Sequence, residues 1–223
     1  MGLKTGLIRF VSIYRSEDPP RLKGVLISGI FIPLFNGIVI GSIVFIFSGY
    51  ISEVVFHKPE LNEYLKLFAL SIPFVSSMTV VSSLLLGFQT TKYTVYSRDL
   101  IQPVANIFLL LIFYYTGFEL AGIIHAFILS HIIALLAGIY YFTLLFPGLR
   151  DRNIKITFEL KNLIFYSSPL LFVGILNYFV TWTNILMLGL LSSSKDVGIY
   201  TAASQLSLIM MLFIFAANSI YSP

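Results

Sequence analysis

The sequence predicts an all-α polytopic transmembrane helix bundle of six spans with a partial helix before them, and three observations predict it. Hydrophobic residues make up 57% of the 223 residues and charged ones 11%, against about 25% charged in ordinary soluble domains. From Asn162 to Ser194 there are 33 consecutive residues without Asp, Glu, Lys or Arg, and a helix needs only about 20 apolar residues to cross a bilayer. The Lys and Arg residues also alternate in density between successive inter-span segments, 11 on one side of the spans and three on the other. The positive-inside rule places the richer set in the cytoplasm, with the N-terminal segment.

Taken in order, residues 1–14 are half apolar and carry Lys4 and Arg9. They are too short to span, and form either an interfacial N-terminus or the cytoplasmic end of a helix. No cleavage signature follows the first long apolar run, so no processing is expected. Gly24 to Ile51 is the first span, with Pro33 and Asn36 near its middle and Gly37-x-x-x-Gly41 allowing close helix contact. After a turn-rich loop containing Pro59, Tyr64 to Gly87 is the second span. It is rich in Ser and interrupted by Pro73, which frees a backbone carbonyl that a hydroxyl, water or neighbour must satisfy and which predicts a kink.

A polar loop from Phe88 to Arg98 precedes the third span, Asp99 to Phe118, where Asp99, Gln102 and Asn106 recur at i, i+3 and i+7 as one polar stripe. That stripe is either a hydrated helix start or the rim of a cavity. A short hairpin at 117–119 leads to the fourth span, Leu120 to Leu145, holding His125 and His131. Six residues set them about 120° apart on a helix, so they cannot share a metal, and each is read first as a hydrogen-bonded packing residue. Residues 146–161 hold Pro147, Gly148 and four basic residues, and are read as a cytoplasmic amphipathic helix lying on the membrane. This is the longest connection between spans and the candidate boundary between two groups of helices.

The fifth span is the uncharged 33-residue stretch, interrupted at Pro169. Asn177, Thr181 and Asn184 fall at i, i+4 and i+7, with Gly174 one turn back, so one face is polar inside a membrane. Such groups either bond a neighbouring helix or line a water-filled cavity. The sixth span, Val197 to Tyr221, carries Tyr200, Ser204, Ser207, Met211 and Asn218 on one face.

Several function classes have no residues here. Zero Cys excludes a disulfide framework and thiolate chemistry. The net charge of +4 is spread between apolar runs and forms no basic stripe, so nucleic acid is not an expected partner. No Walker loop, G-x-G-x-x-G, H-E-x-x-H or G-x-S-x-G occurs, and no cofactor or metal is expected. A non-enzymatic membrane protein remains, with proline-interrupted helices and polar faces, as in many transporters. The alternative class is a membrane scaffold or enzyme subunit whose polar faces merely hold helices together.

The fifth and sixth spans also carry a family resemblance. Leu188-Gly189, Ser192 and Val197-Gly198-Ile199-Tyr200-Thr201-Ala202-Ala203 resemble the L-G-x-x-x-S turn and V-G-x-Y-x-A-A helix start of the polysaccharide-biosynthesis flippases. Those flippases belong to the multidrug/oligosaccharidyl-lipid/polysaccharide exporter superfamily. Gly6-Leu7-Ile8-Arg9-Phe10 is similar to the end of that family's second span, whereas Asn184 stands where the family carries an Asp. The resemblance implies a two-lobe transporter flipping lipid-linked oligosaccharide or polysaccharide repeat units across the cytoplasmic membrane. A drug/cation antiporter of the same superfamily is a further alternative, though the spans hold none of the acidic residues it would favour. Residues 1–147 would be most of the first lobe, 148–162 the cytoplasmic linker and 163–223 the first two helices of the second lobe. Family members have 12 or more spans, so the chain is read as a fragment needing the rest of its own chain or, failing that, a second copy. The substrate would be a polyprenyl-diphosphate-linked glycan, whose diphosphate needs a cation partway into the lipid bilayer. Arg9 is the candidate for that role, facing a cavity with Gln102, Asn106, Asn177, Thr181 and Asn184. The competing reading has Arg9 snorkelling to the headgroups.

Overall fold

A computed structural model describes residues 2–118, 120–149, 151 and 153–221, with side chains described for those between 3 and 207. Seven long helices follow one another: α1 (Gly2–Glu17), α2 (Pro19–Val55), α3 (Leu61–Gly87), α4 (Lys92–Tyr115), α5 (Leu120–Leu145), α6 (Leu160–Leu191) and α7 (Ser194–Tyr221). Helices α2 to α6 are each long and apolar enough to cross a membrane. The protein is therefore an all-α polytopic membrane bundle. In the sixth expected span, the side chains of Met211 and Asn218 lie outside the described residues, as do Glu119, Arg150 and Arg152. The chain divides into two compact units, residues 1–175 and 176–223, with the division inside α6.

In the first unit, α2 and α3 form the most extensive pairing, α3 also packs on α5, and α1 lies against α2 and α3. The expected close approach at Gly37-x-x-x-Gly41 is present. A Cβ on Gly37 would come within 2.5 Å of the Pro73 Cα, and one on Gly41 within 2.7 Å of the Ala69 carbonyl oxygen. Pro73 has no N–H to give Ala69, so the carbonyl it frees is the one lying against Gly41. The serines mostly serve carbonyls of their own helix: Ser71 bonds Phe68 and Ser77 bonds Pro73. Ser76 reaches across as well, donating to the Pro33 carbonyl of α2 at 2.9 Å. Gly37→Leu is expected to destabilise the unit by about 1–3 kcal/mol, since the α3 backbone cannot yield to the new side chain. Gly49→Ala should be near neutral, its nearest neighbour being Asn62 Nδ2 at 4.0 Å. Unfolding of both variants in mixed micelles compares them.

The buried apolar cluster of this unit gathers Leu7 and Val11 of α1, Leu22 and Leu26 of α2, Leu84 and Leu85 of α3, Phe142 of α5 and Leu163 of α6. All lie toward the bundle end where α1, α3 and α5 finish and α2 and α6 begin, the end richer in Lys and Arg. The N-terminal segment is thus a packed helix. At the α1–α2 junction, Asp18 accepts the Arg21 amide at 3.1 Å and Pro19-Pro20 occupy the first helical turn, where missing N–H groups cost nothing. Arg15 staples the C-terminal end of α1 to the α3–α4 turn, donating to the Phe88 carbonyl and the Gln89 Oε1, each at 2.7 Å.

Two elements differ from the sequence expectation. Helix α4 starts at Lys92, seven residues before the expected Asp99, and passes through π-helical turns over Val95–Ile101. Pro103 supplies the reason: without an N–H it cannot bond the Asp99 carbonyl, and the Gln102 amide bonds Ser97, five residues back. Residues 146–161 form no amphipathic helix among the described residues. A single 3₁₀ turn at Pro147–Leu149 is followed by residues 151 and 153–159, which are irregular and dock on the start of α2. Lys23, only 7% exposed, donates from Nζ to the carbonyls of Asp151 (2.6 Å) and Ile154 (3.3 Å). The Thr157 amide bonds the Pro20 carbonyl at 3.2 Å, Gly24 leaves room for the Thr157 backbone, and Arg21 pairs with Glu159 at 3.3 Å. With its polar groups taken up by tertiary partners, the connector has no need of a helical ladder.

In the second unit, Ser193 and Asp196 cap α7 reciprocally. The Asp196 amide bonds the Ser193 hydroxyl at 3.3 Å and the Asp196 carboxylate accepts the Ser193 amide at 3.2 Å. The Ser192 and Ser193 hydroxyls also donate to that carboxylate, at 2.7 and 2.6 Å. These hydrogen bonds hold the Asp196 carboxyl below the usual carboxylate range. Its contribution is present above the ordinary carboxylate pKa and is lost as pH falls through the lowered value. Protection of the first α7 amides, relative to their intrinsic exchange rate, is therefore expected to fall as pH drops through the lowered value, and Asp196→Ala should show the same loss of protection at neutral pH.

Candidate functional site

Arg9 sits eight residues before the C-terminal end of α1, so it lies about 12 Å along the axis from that end. Its side chain is exposed, and the guanidinium carbon stands 4.5 Å from the centroid of the Tyr166 ring on α6. Among the described residues no carboxylate forms an ion pair with it. The local sequence places it there: Gly6, Arg9 and Phe10 share one face of α1 at i, i+3 and i+4. Gly6 has no Cβ and lets the Ser167 hydroxyl come up against it. The Phe10 ring meets the Tyr166 ring edge-on at 6.2 Å.

Gln102 and Asn106 lie on α4, beyond the π-helical turns, and α4 packs chiefly on α5. Gln102 Nε2 donates to the Ser130 hydroxyl at 3.3 Å, and Ser130 in turn donates to the Phe127 carbonyl at 2.9 Å. The Asn106 Oδ1 is buried with no hydrogen-bond partner among the described residues. Asp99, within the π-helical turns, pairs with Arg98 at 2.7 Å. Helix α1 packs on α2 and α3 and α4 on α5, so the Arg9 and Gln102 sites are held by different helix pairs within the same unit.

Asn177, Thr181 and Asn184 belong to the second unit and are all exposed on α6. Thr181 donates to the Asn177 carbonyl at 2.8 Å. Gly174, one turn earlier and in the first unit, is buried. The two histidines behave as packing residues. Nδ1 of His125 lies 2.6 Å from the Ala121 carbonyl and Nδ1 of His131 2.8 Å from that of Phe127. A carbonyl only accepts, so Nδ1 carries the proton in each.

Among the described residues, open apolar grooves of about 680 Å³ between α4 and α5 and about 550 Å³ between α2 and α3 are present. The first is lined by Phe113, Tyr114, Phe118 and Ile123 among others, the second by Ile38, Phe45, Leu70 and Pro73. Neither is lined by any of the polar candidates. The sequence reading missed Lys23, which lies just before the first apolar run and looked like an ordinary flanking charge. It also missed Tyr166, although Leu163, Tyr166 and Ser167 repeat the i, i+3, i+4 spacing of Gly6, Arg9 and Phe10.

A family model described as polysaccharide biosynthesis protein matches residues 1–221. No curated protein and no solved structure gives a significant match.

Proposed function

Because the chain belongs to the polysaccharide biosynthesis protein family, we propose that it acts as a transporter and not as an enzyme, flipping lipid-linked oligosaccharide or polysaccharide repeat units across the cytoplasmic membrane. The observation that carries this reading is Arg9, a cation about 12 Å from the C-terminal end of α1, exposed and held by an aromatic ring with no acidic partner among the described residues. A guanidinium left without a carboxylate keeps its charge, and its fork of N–H donors suits a phosphate. The end of the bundle carrying Arg15, Arg21 and Lys23 faces the cytoplasm in this reading, so Arg9 meets the diphosphate of a polyprenyl-linked glycan soon after it leaves the cytoplasmic headgroups. Gln102 and Asn106, in the same unit, supply uncharged hydrogen-bonding groups for the sugars. The polyprenyl tail stays in the lipid. The rest of the same chain, or a second copy, completes the walls.

The test is reconstitution of the complete protein in liposomes with a fluorescent polyprenyl-diphosphate oligosaccharide in one leaflet. Protein-dependent loss of protection from a membrane-impermeant glycosidase is the expected result. No flipping, in vesicles where the protein is inserted and folded, would leave the membrane scaffold as the better description.

A further inference from the structure

Helices α1 and α6 meet along a seam of two matching faces. Gly6, Arg9 and Phe10 lie on one, and Leu163, Tyr166 and Ser167 lie on the other, each set at i, i+3 and i+4. Leu163 is 1% exposed and Ser167 5%. A Cβ on Gly6 would collide with the Ser167 hydroxyl and touch Leu163 and Tyr166, so the glycine sets how closely the helices approach. The seam carries little hydrogen bonding: the buried Ser167 hydroxyl has no partner among the described residues. Its polar contact is the Arg9 guanidinium at 4.5 Å from the half-buried Tyr166 ring, which Phe10 braces from the side.

We propose that Tyr166 is a positioning residue for an anion site at Arg9, an inference that rests on the transport reading above and deepens it. An aromatic face attracts a cation through its quadrupole and leaves the guanidinium edge free of carboxylate or carbonyl partners. A carboxylate in the same place would fix Arg9 equally well but would neutralise it and occupy its donors. The ring thus holds the cation still and keeps it available for a polyvalent phosphate. Holding it before the ligand arrives removes the rotamer entropy that a free arginine would lose on binding. The ring face does this, so phenylalanine can replace tyrosine and an aliphatic residue of similar bulk cannot.

The experiment measures binding of inorganic pyrophosphate to the purified full chain in detergent by calorimetry, with thermal unfolding recorded for every variant. The wild type and Tyr166→Phe are expected to bind equally. Tyr166→Leu and Tyr166→Met are expected to bind about tenfold more weakly, equivalent to about 1.4 kcal/mol, with unchanged unfolding midpoints. Arg9→Ala is expected not to bind. If Tyr166→Leu or Tyr166→Met, whichever folds, binds like the wild type while Arg9→Ala does not bind, Tyr166 has no positioning role and the anion site stands. The proposal is also overturned if Tyr166→Phe is as weak as the aliphatic variants, or if neither aliphatic variant folds, which would make the ring a packing residue. Absence of pyrophosphate binding by the wild type, or undiminished binding by Arg9→Ala, overturns the anion-site reading itself.

Discussion

Arg9→Ala, made in the complete protein, is expected to abolish transport of the lipid-linked repeat unit while leaving insertion and folding intact, and Arg9→Lys to retain part of it. A hydrogen bond to a charged group contributes about 1.5–3 kcal/mol, so losing even one phosphate contact should cost roughly ten- to a hundredfold in rate. Lysine keeps the charge but not the fork of donors, which is why partial activity is expected of it. Truncation should cost the fold little, because the Arg9 side chain is exposed and the neighbouring Leu7 and Val11 supply the buried contacts of α1. Genetic complementation with immunoblotting of the membrane fraction reads both properties. Full complementation by Arg9→Ala would reduce Arg9 to a headgroup anchor and move the cation requirement elsewhere in the bundle.

The second large effect is expected at Lys23. Lys23→Met removes a buried ammonium that two connector carbonyls share, those of Asp151 and Ile154, and leaves both without their donor. At about 1.5–3 kcal/mol for a charge-assisted bond, opening of the connector should rise by at least about tenfold. Lys155 is exposed in the same segment, between the Ile154 and Thr157 attachments, and offers trypsin a site only when the backbone lifts away. Accelerated cleavage after Lys155 in the variant, at trypsin concentrations where the rate is proportional to opening, is the expected result. Equal cleavage rates would show that Gly24, the Thr157 bond and the Arg21–Glu159 pair hold the segment without Lys23.

Much of this was legible in the sequence because lipid imposes a simple rule: a helix that crosses it must be long and apolar. The uncharged run after Lys161 and the Gly37-x-x-x-Gly41 contact needed no tertiary knowledge. What was not legible depended on partners distant in sequence. For residues 146–161 the alternation of Lys155, Thr157 and Glu159 with apolar residues left an interfacial helix or a short strand, and the place between two spans favoured the helix. Their backbone groups were in fact claimed by Pro20 and Lys23, more than a hundred residues earlier. Tyr166 was one aromatic among 13 tyrosines until α6 was seen against α1. The start of α4 was missed because Lys92 and Arg98 suggested a loop, and a count in steps of 3.6 does not survive a π-helical turn.

The π-helical stretch of α4 also bears on how this chain is compared with others. Such a turn is a helix with one residue more than its length requires, and here the surplus falls between Val95 and Ile101, where Pro103 withholds an amide. Homologues one residue shorter in that interval and without the proline can close the ladder with ordinary bonds, and everything before the deletion then turns by about 100° relative to the remainder of the helix. In such a sequence the positions facing inward, occupied here by the buried Thr94 and Ser97, are held by residues one place along. Pairing the two sequences letter by letter would set an inward residue of one against a lipid-facing residue of the other. Equivalent positions before Ile101 are those that share a direction around the axis, whatever their ordinal number.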